Sequence, residues 1–154
     1  MAGQDGAGER AVATNRKARH EYFILETLEA GLVLKGTEVK SLRQANVNLT
    51  DGYVRIDKGE AWLLGVHVSP YKQGSTTNVD PLRSRKLLMH RKEIRRLLAR
   101  LSERGLTLIP LKVYFKQDIA KVELGLCRGK RDFDKRDAIA RREAERDIRR
   151  RMRR

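Results

Sequence analysis

The sequence predicts a mainly β protein with added α-helices: a small antiparallel barrel, helices at its ends, and a basic C-terminal tail. Three observations carry that prediction. Val122, Leu124 and Leu126 alternate with Lys121, Glu123 and Gly125, the period of two that marks a half-buried strand. Ile109, Leu111, Val113 and Phe115 repeat the pattern just upstream, and two helical stretches interrupt the run of strands. Beyond Gly129 no run of large apolar residues returns, and residues 128–154 carry 13 Lys/Arg against 6 Asp/Glu. Nearly half of the chain's net +15 therefore lies on a segment that cannot build a core.

At 154 residues the chain is one domain plus tails. Residues 1–14 read as a disordered leader, 15–129 as the domain and 130–154 as the tail. The basic cluster Asn15-Arg16-Lys17-Ala18-Arg19-His20 leads into Tyr22-Phe23-Ile24-Leu25. Aromatic and β-branched residues over 21–34 suit one long strand, bent or bulged near Ala30-Gly31. Thr37 is the expected N-cap of a short helix with Val39 and Leu42 on one face and Lys40 and Arg43 off it. Residues 49–68 read as a hairpin turning at Asp57-Lys58-Gly59-Glu60. Residues 69–85, with Pro70, Gly74, Asn78 and Pro81, read as a surface loop. Ile94, Leu97, Leu98 and Leu101 fall at i, i+3, i+4 and i+7, a core-facing helical stripe that Gly105 stops. The strand with the inward row at 109–115 follows, and its return runs over 120–126 after Lys116-Gln117-Asp118.

Catalytic motifs are absent, so an enzyme is not expected. His20, His67 and His90 are far apart, and with the single Cys127 they give no metal-ligand spacing. Cys127 reads as a small strand filler on the face opposite Leu124 and Leu126. Gly129-Lys130 lacks the spaced glycines of a phosphate loop, so no nucleotide or other cofactor is expected. Asp132 and Asp134 sit among arginines, a poor setting for a shared proton. One cysteine makes no internal disulfide, and with no signal-like or membrane-spanning stretch the expectation is a cytoplasmic monomer.

A sequence pI near 10.5 points to a polyanion. Acidic membrane fits less well, since no segment pairs a broad apolar face with a basic one. Arg16, Lys17, Arg19 and His20 beside Tyr22 and Phe23 at one end combine phosphate attraction with stacking surface. Arg128, Lys130, Arg131, Phe133, Lys135 and Arg136 do the same at the other. Lys40 and Arg43 add candidate contacts to an RNA backbone. The residues favour an RNA-binding module; a structural, rRNA-binding ribosomal protein is the alternative.

Several blocks resemble the SsrA-binding protein family: the Asn15–His20 cluster, Gly36-Thr37-Glu38-Val39-Lys40-Ser41-Leu42-Arg43, Arg85-Lys86-Leu87-Leu88, Pro110-Leu111-Lys112-Val113-Tyr114-Phe115 and Lys121-Val122-Glu123-Leu124-Gly125-Leu126. The resemblance implies an oligonucleotide-binding-like barrel that grips the tRNA-like domain of transfer-messenger RNA. It implies entry into stalled ribosomes alongside elongation factor Tu, for trans-translation: ribosome rescue and tagging of incomplete proteins. It also implies a tail, disordered when free and helical on the ribosome, that probes the empty mRNA channel. By motif match Glu29, Leu88 and Lys121 fall on RNA-binding positions, with Glu29 expected to orient a base, a sugar or a neighbouring arginine. Phe133, Asp134, Lys135 and Arg136 fall on the tail motif at the decoding centre. Phe133 stands where relatives often have Tyr or His, and Cys127 where alanine is usual.

Overall fold

Strand pairing organises the chain into one long sheet whose two ends turn towards each other. The computed structural model describes residues 9–71 and 79–152, the side chains of 131–141 excepted. In chain order the elements are β1 (Glu9–Thr14), α1 (Arg16–Glu21), β2 (Tyr22–Leu32), α2 (Gly36–Arg43), β3 (Val47–Asn48), β4 (Tyr53–Asp57), β5 (Glu60–Leu64), β6 (His67–Val68), β7 (Arg85–Leu88), α3 (Arg91–Leu101), β8 (Leu106–Lys116), β9 (Ile119–Gly129) and α4 (Lys130–Met152). The sheet runs β1-β8-β9-β2-β7-β5-β4 with every pair antiparallel, and β3 and β6 form a separate pair.

The sheet is not closed into a barrel by hydrogen bonds. β8 is already paired on both edges, by β1 and β9, so β4 meets β8 across the core and not through a ladder. That approach is close. A Cβ added at Gly52 would lie 2.7 Å from both Pro110 Cγ and Val66 Cγ2, which only glycine avoids. The enclosed core takes Leu63 and Leu87 from the small-strand side, Leu108, Val122, Leu124 and Leu126 from the long hairpin, Leu42 from α2 and Leu97 from α3. On the other face of β8 and β9 a second cluster, Ala18, Ile109, Leu111 and Cys127, holds α1 against the sheet.

The structure corrects several local expectations. Glu9–Thr14 is not leader but strand, because β8 offers it a free edge; residues 1–8 lie outside the described chain. The 109–115 row does not face one way. A register shift between Pro110 and Lys112 turns Ile109 and Leu111 to the outer cluster and Val113 and Phe115 to the core. In β2 the irregularity lies between Ile24 and Glu26, whereas Gly31 is where the strand gains β7 as a second neighbour. The basic cluster, given no element of its own above, is helical over Arg16–Glu21, so the strand begins at Tyr22 and not at Glu21. Asn15 caps the helix, its Oδ1 accepting from the Ala18 N–H at 3.1 Å while its Nδ2 donates to the Leu49 and Pro110 carbonyls. The α2 cap is Lys35, not Thr37: the Lys35 N–H donates to Glu38 Oε1 at 2.8 Å.

The hairpin turn forms at Lys58 and Gly59, whose φ values of 51° and 75° match the twist of the strands they join. Arg85, assigned to the loop, instead begins a strand; Gly74 and Asn78 lie outside the described residues. α3 ends at Leu101, ahead of Gly105, and Leu98 is 53 % exposed beside the buried Ile94 and Leu97.

Candidate nucleic-acid interface

The two basic-aromatic clusters, at opposite ends of the sequence, meet. Antiparallel pairing of β2 with β9 sets Tyr22 opposite Gly129 and Phe23 opposite Arg128. Lys130 Nζ then donates to the Arg19 carbonyl at 3.2 Å and lies 5.2 Å from the centre of the Phe23 ring. Phe23 remains 40 % exposed, and Arg16, Lys17, Arg19 and His20 on α1 are exposed around it. Arg128 Nε is buried there with no acceptor among the described residues. Among these cations Lys17 has a partner, Glu21 at 3.8 Å, and both are half exposed.

A second group forms where β2 passes between β9 and β7. Gly31 is paired with Lys121 on one side and Leu88 on the other, and Glu29, two residues along, is opposite Glu123. Alternation puts these side chains outward, since Ala30, Leu87 and Val122 fill the core. Leu88 is 57 % exposed, an apolar side chain held in water on a rigid strand. The Tyr114 hydroxyl donates to Glu29 Oε2, and Lys116 Nζ lies 3.8 Å from the same oxygen. Burial, and then the bond to Glu29, push the Tyr114 hydroxyl well above the ordinary tyrosine value, so it stays a donor. The partners of Glu29 are thus a tyrosine and a lysine, not the arginine that was one of its expected roles. A cleft of about 310 Å³ opens beside them, lined by Glu29, Thr27, Lys112, Tyr114 and Glu123.

Lys40 and Arg43 are placed apart from both groups. Lys40 Nζ lies 5.3 Å over the Tyr71 ring, and Arg43 Cζ lies 5.1 Å over Phe115, which faces the core. Arg131, Phe133, Asp134, Lys135 and Arg136 belong to the backbone of α4, with side chains outside the described residues. From Arg142 to Met152 every residue of α4 is exposed.

Sequence reasoning missed two features. Glu38 and Arg85, 3 % and 1 % exposed, form a buried ion pair with Nε–Oε2 at 2.6 Å. Arg83 Nη2 lies 2.6 Å from Glu38 Oε1, and Arg85 also donates to the Val66 and Pro81 carbonyls. Burial alone would raise the Glu38 carboxyl; hydrogen bonds from Arg83, the Lys35 N–H and Arg85 outweigh it and hold the group below its ordinary 4.5. Nothing in the spacing of Glu38 and Arg85, 47 positions apart, announces this pair. The second is the row Lys112, Tyr114 and Lys116 on the face of β8 away from the core, in which Tyr114 is buried between two lysines; the period of two in that block could have given it. Cys127 is buried, and burial pushes its thiol up to about 11, the setting of a filler and not of a nucleophile. Among the described residues no group of three or more His, Cys, Asp or Glu could hold a metal ion. No described helix is long and apolar enough to cross a membrane.

The family model described as SmpB protein matches residues 12–154. The chain belongs to the SmpB family. An SsrA-binding protein of Desulforudis audaxviator is 64% identical over 140 residues, covering 91% of this chain and 92% of that one. Another, of Desulfitobacterium hafniense, is 54% identical over 146 residues, covering 95% and 94%. A chain of a solved structure described as "tmRNA-SmpB: a journey to the center of the bacterial ribosome" aligns with TM-score 0.66 and 55% identity over 77% of this chain and 83% of that one. An SmpB fold with an outward surface of cations, the exposed Phe23 ring and one apolar strand residue has the equipment for recognition: charge for phosphates, a face for a base, donors and acceptors for ribose and base edges.

Proposed function

We propose that the chain binds the tRNA-like domain of transfer-messenger RNA and carries it to stalled ribosomes for trans-translation. The observation that supports this most is the meeting of Arg19, Phe23, Arg128 and Lys130 on one surface of a chain whose relatives are named for binding SsrA. In this reading Arg16, Lys17, Arg19, His20, Arg128, Lys130 and Arg131 meet phosphates. Phe23 gives a base a face to stack on. Glu29, Leu88 and Lys121 take the nucleotide that crosses β2, with Tyr114 fixing one Glu29 oxygen so that the other can accept from a base or a 2′-hydroxyl. Lys40 and Arg43, on their own face, meet a separate stretch of backbone.

The same reading gives α4 the mRNA channel, with Phe133, Asp134, Lys135 and Arg136 at the decoding centre, elongation factor Tu in the same complex, a monomeric chain and a cytoplasmic setting. The tail is then marginal as a free helix. Favourable i, i+4 pairs such as Glu145 with Arg149 are offset by repulsive ones such as Arg146 with Arg150, each about 0.2–0.5 kcal/mol. Ribosomal phosphates relieve the repulsion and order it. The relatives' names do not favour a ribosomal structural protein. Sequencing the RNA that copurifies with the chain tests the reading: one enriched transfer-messenger RNA is expected, and ribosomal RNA alone overturns it.

A further inference from the structure

α3 carries a charge pattern that the groups above do not use. Its eleven residues include Arg91, Lys92, Arg95, Arg96 and Arg100 against Glu93 alone. Arg96 is engaged with Glu26 at 2.6 Å and Arg100 with Glu103 at 3.3 Å. Arg91 and Arg95, one turn apart on one side of the helix, are exposed and have no ion pair among the described residues. Leu98, the next residue along that side, is the one member of the expected apolar stripe left in water. The β4–β5 turn brings a third exposed cation, Lys58, to the same place. Between turn and helix lies a cleft of about 520 Å³ lined by Lys58, Glu60, Lys86, Met89, Arg91, Ile94 and Arg95 together with Gly59. Its volume is within the range of about 300–1,000 Å³ usual for ligand sites. Four cations face one carboxylate there, and Glu60 is shared with Lys86 at 3.4 Å, so the cleft keeps an excess of positive charge over an apolar floor.

The cleft lies beside the Leu88 group, sharing its neighbours Lys86 and Met89. Lys86 and Leu88 point outward from the same face of β7, and Met89 follows directly. A strand of RNA crossing Leu88 in the direction of α3 would pass from an apolar contact into this cationic channel.

We propose that the cleft is a backbone subsite for the RNA lying over Leu88, the tRNA-like domain of transfer-messenger RNA. Lys58, Arg91 and Arg95 hold consecutive phosphates, while Met89 and Ile94 floor the sugar between them. This rests on the RNA-binding reading above and adds a channel to it. Glu60 acts against binding, since it competes with phosphate for Lys86.

The test is equilibrium binding of the full chain to the isolated tRNA-like domain over a range of salt. A Lys58→Gln, Arg91→Gln, Arg95→Gln variant alters exposed side chains only, so its melting curve should match the parent's. It should bind at least about tenfold more weakly, with the slope of log K against log salt lower by about two to three. Glu60→Gln should shift affinity the other way, by about two- to fivefold at low salt. If the parent binds and both variants match it in affinity and slope, the channel is wrong and the RNA-binding reading stands. If the triple variant binds this RNA normally but loses affinity for ribosomes, the cleft serves another RNA and the proposal is overturned. A parent chain that does not bind this RNA would overturn the underlying reading itself.

Discussion

At the junction of α2 and β7 two charged side chains, Glu38 and Arg85, have been taken out of water, with Arg83 at the edge; where α1, β2 and α4 converge the charges stay in it. Glu38, Arg83 and Arg85 are matched atom for atom, with both carboxylate oxygens used and the Arg85 guanidinium further bonded to two carbonyls. Arg19 and Lys130 are held differently. The Lys130 ammonium donates to the Arg19 backbone carbonyl and lies over the Phe23 ring, contacts that fix its position but leave its positive charge uncancelled, and the Arg19 side chain is exposed beside it. A buried pair is costly to break, because one partner left alone is an unpaired charge in a low dielectric. An open cation costs the fold almost nothing to remove. The difference separates charges that build the scaffold from charges that are available to a ligand.

Glu38→Ala should expose that contrast most. Chemical denaturation should show a loss of about 3–5 kcal/mol, since Arg85 would remain buried without its carboxylate. A loss under about 1 kcal/mol would mean the cluster is open to water and the contrast is false. Arg19→Gln with Lys130→Gln should do the reverse. Stability should hold to within about 0.5 kcal/mol, while the salt slope for RNA binding falls by about one per residue removed. Affinity and slope unchanged would place both among idle surface charges.

Acid titration sharpens the same comparison. Glu38 has its folded carboxyl below 4.5, so its contribution is present above the unfolded value and is lost as pH falls through the lower folded one. Arg83→Met should move the acid-unfolding midpoint to higher pH, because it removes a hydrogen bond that favours the charged carboxylate. The smallest effect belongs to Lys17→Ala. Its partner Glu21 is equally exposed, so a melting experiment should detect about 0–0.5 kcal/mol.

How much of this the sequence disclosed depended on whether the cause was local. The β4–β5 hairpin, the β8–β9 pair and α3 were legible because alternation, turn residues and helical spacing all lie within a few neighbours. β1 was not legible: Glu9-Arg10-Ala11-Val12-Ala13-Thr14 has little strand character of its own and forms because β8 has an unfilled edge. β7 was hidden by Arg85, which reads as a surface residue until its distant carboxylate is known. The shift at Leu111 was hidden as well, since one extra residue reverses every later side chain without altering the pattern on paper. For the candidate site, the two clusters were readable from composition, but that they form one surface was not. That follows from β2 lying beside β9, a matter of topology.

That adjacency also sets a timetable. Lys130 and Arg19 are 111 positions apart, so the shared surface does not exist until nearly the whole chain has been made and β9 has annealed onto β2. Long-range closure of this kind is among the slower events in folding. A growing chain still on the ribosome that makes it therefore carries its first basic cluster, α1, without the second. Because β9 is the last strand in chain order, the candidate surface is completed only when the rest of the sheet is already in place.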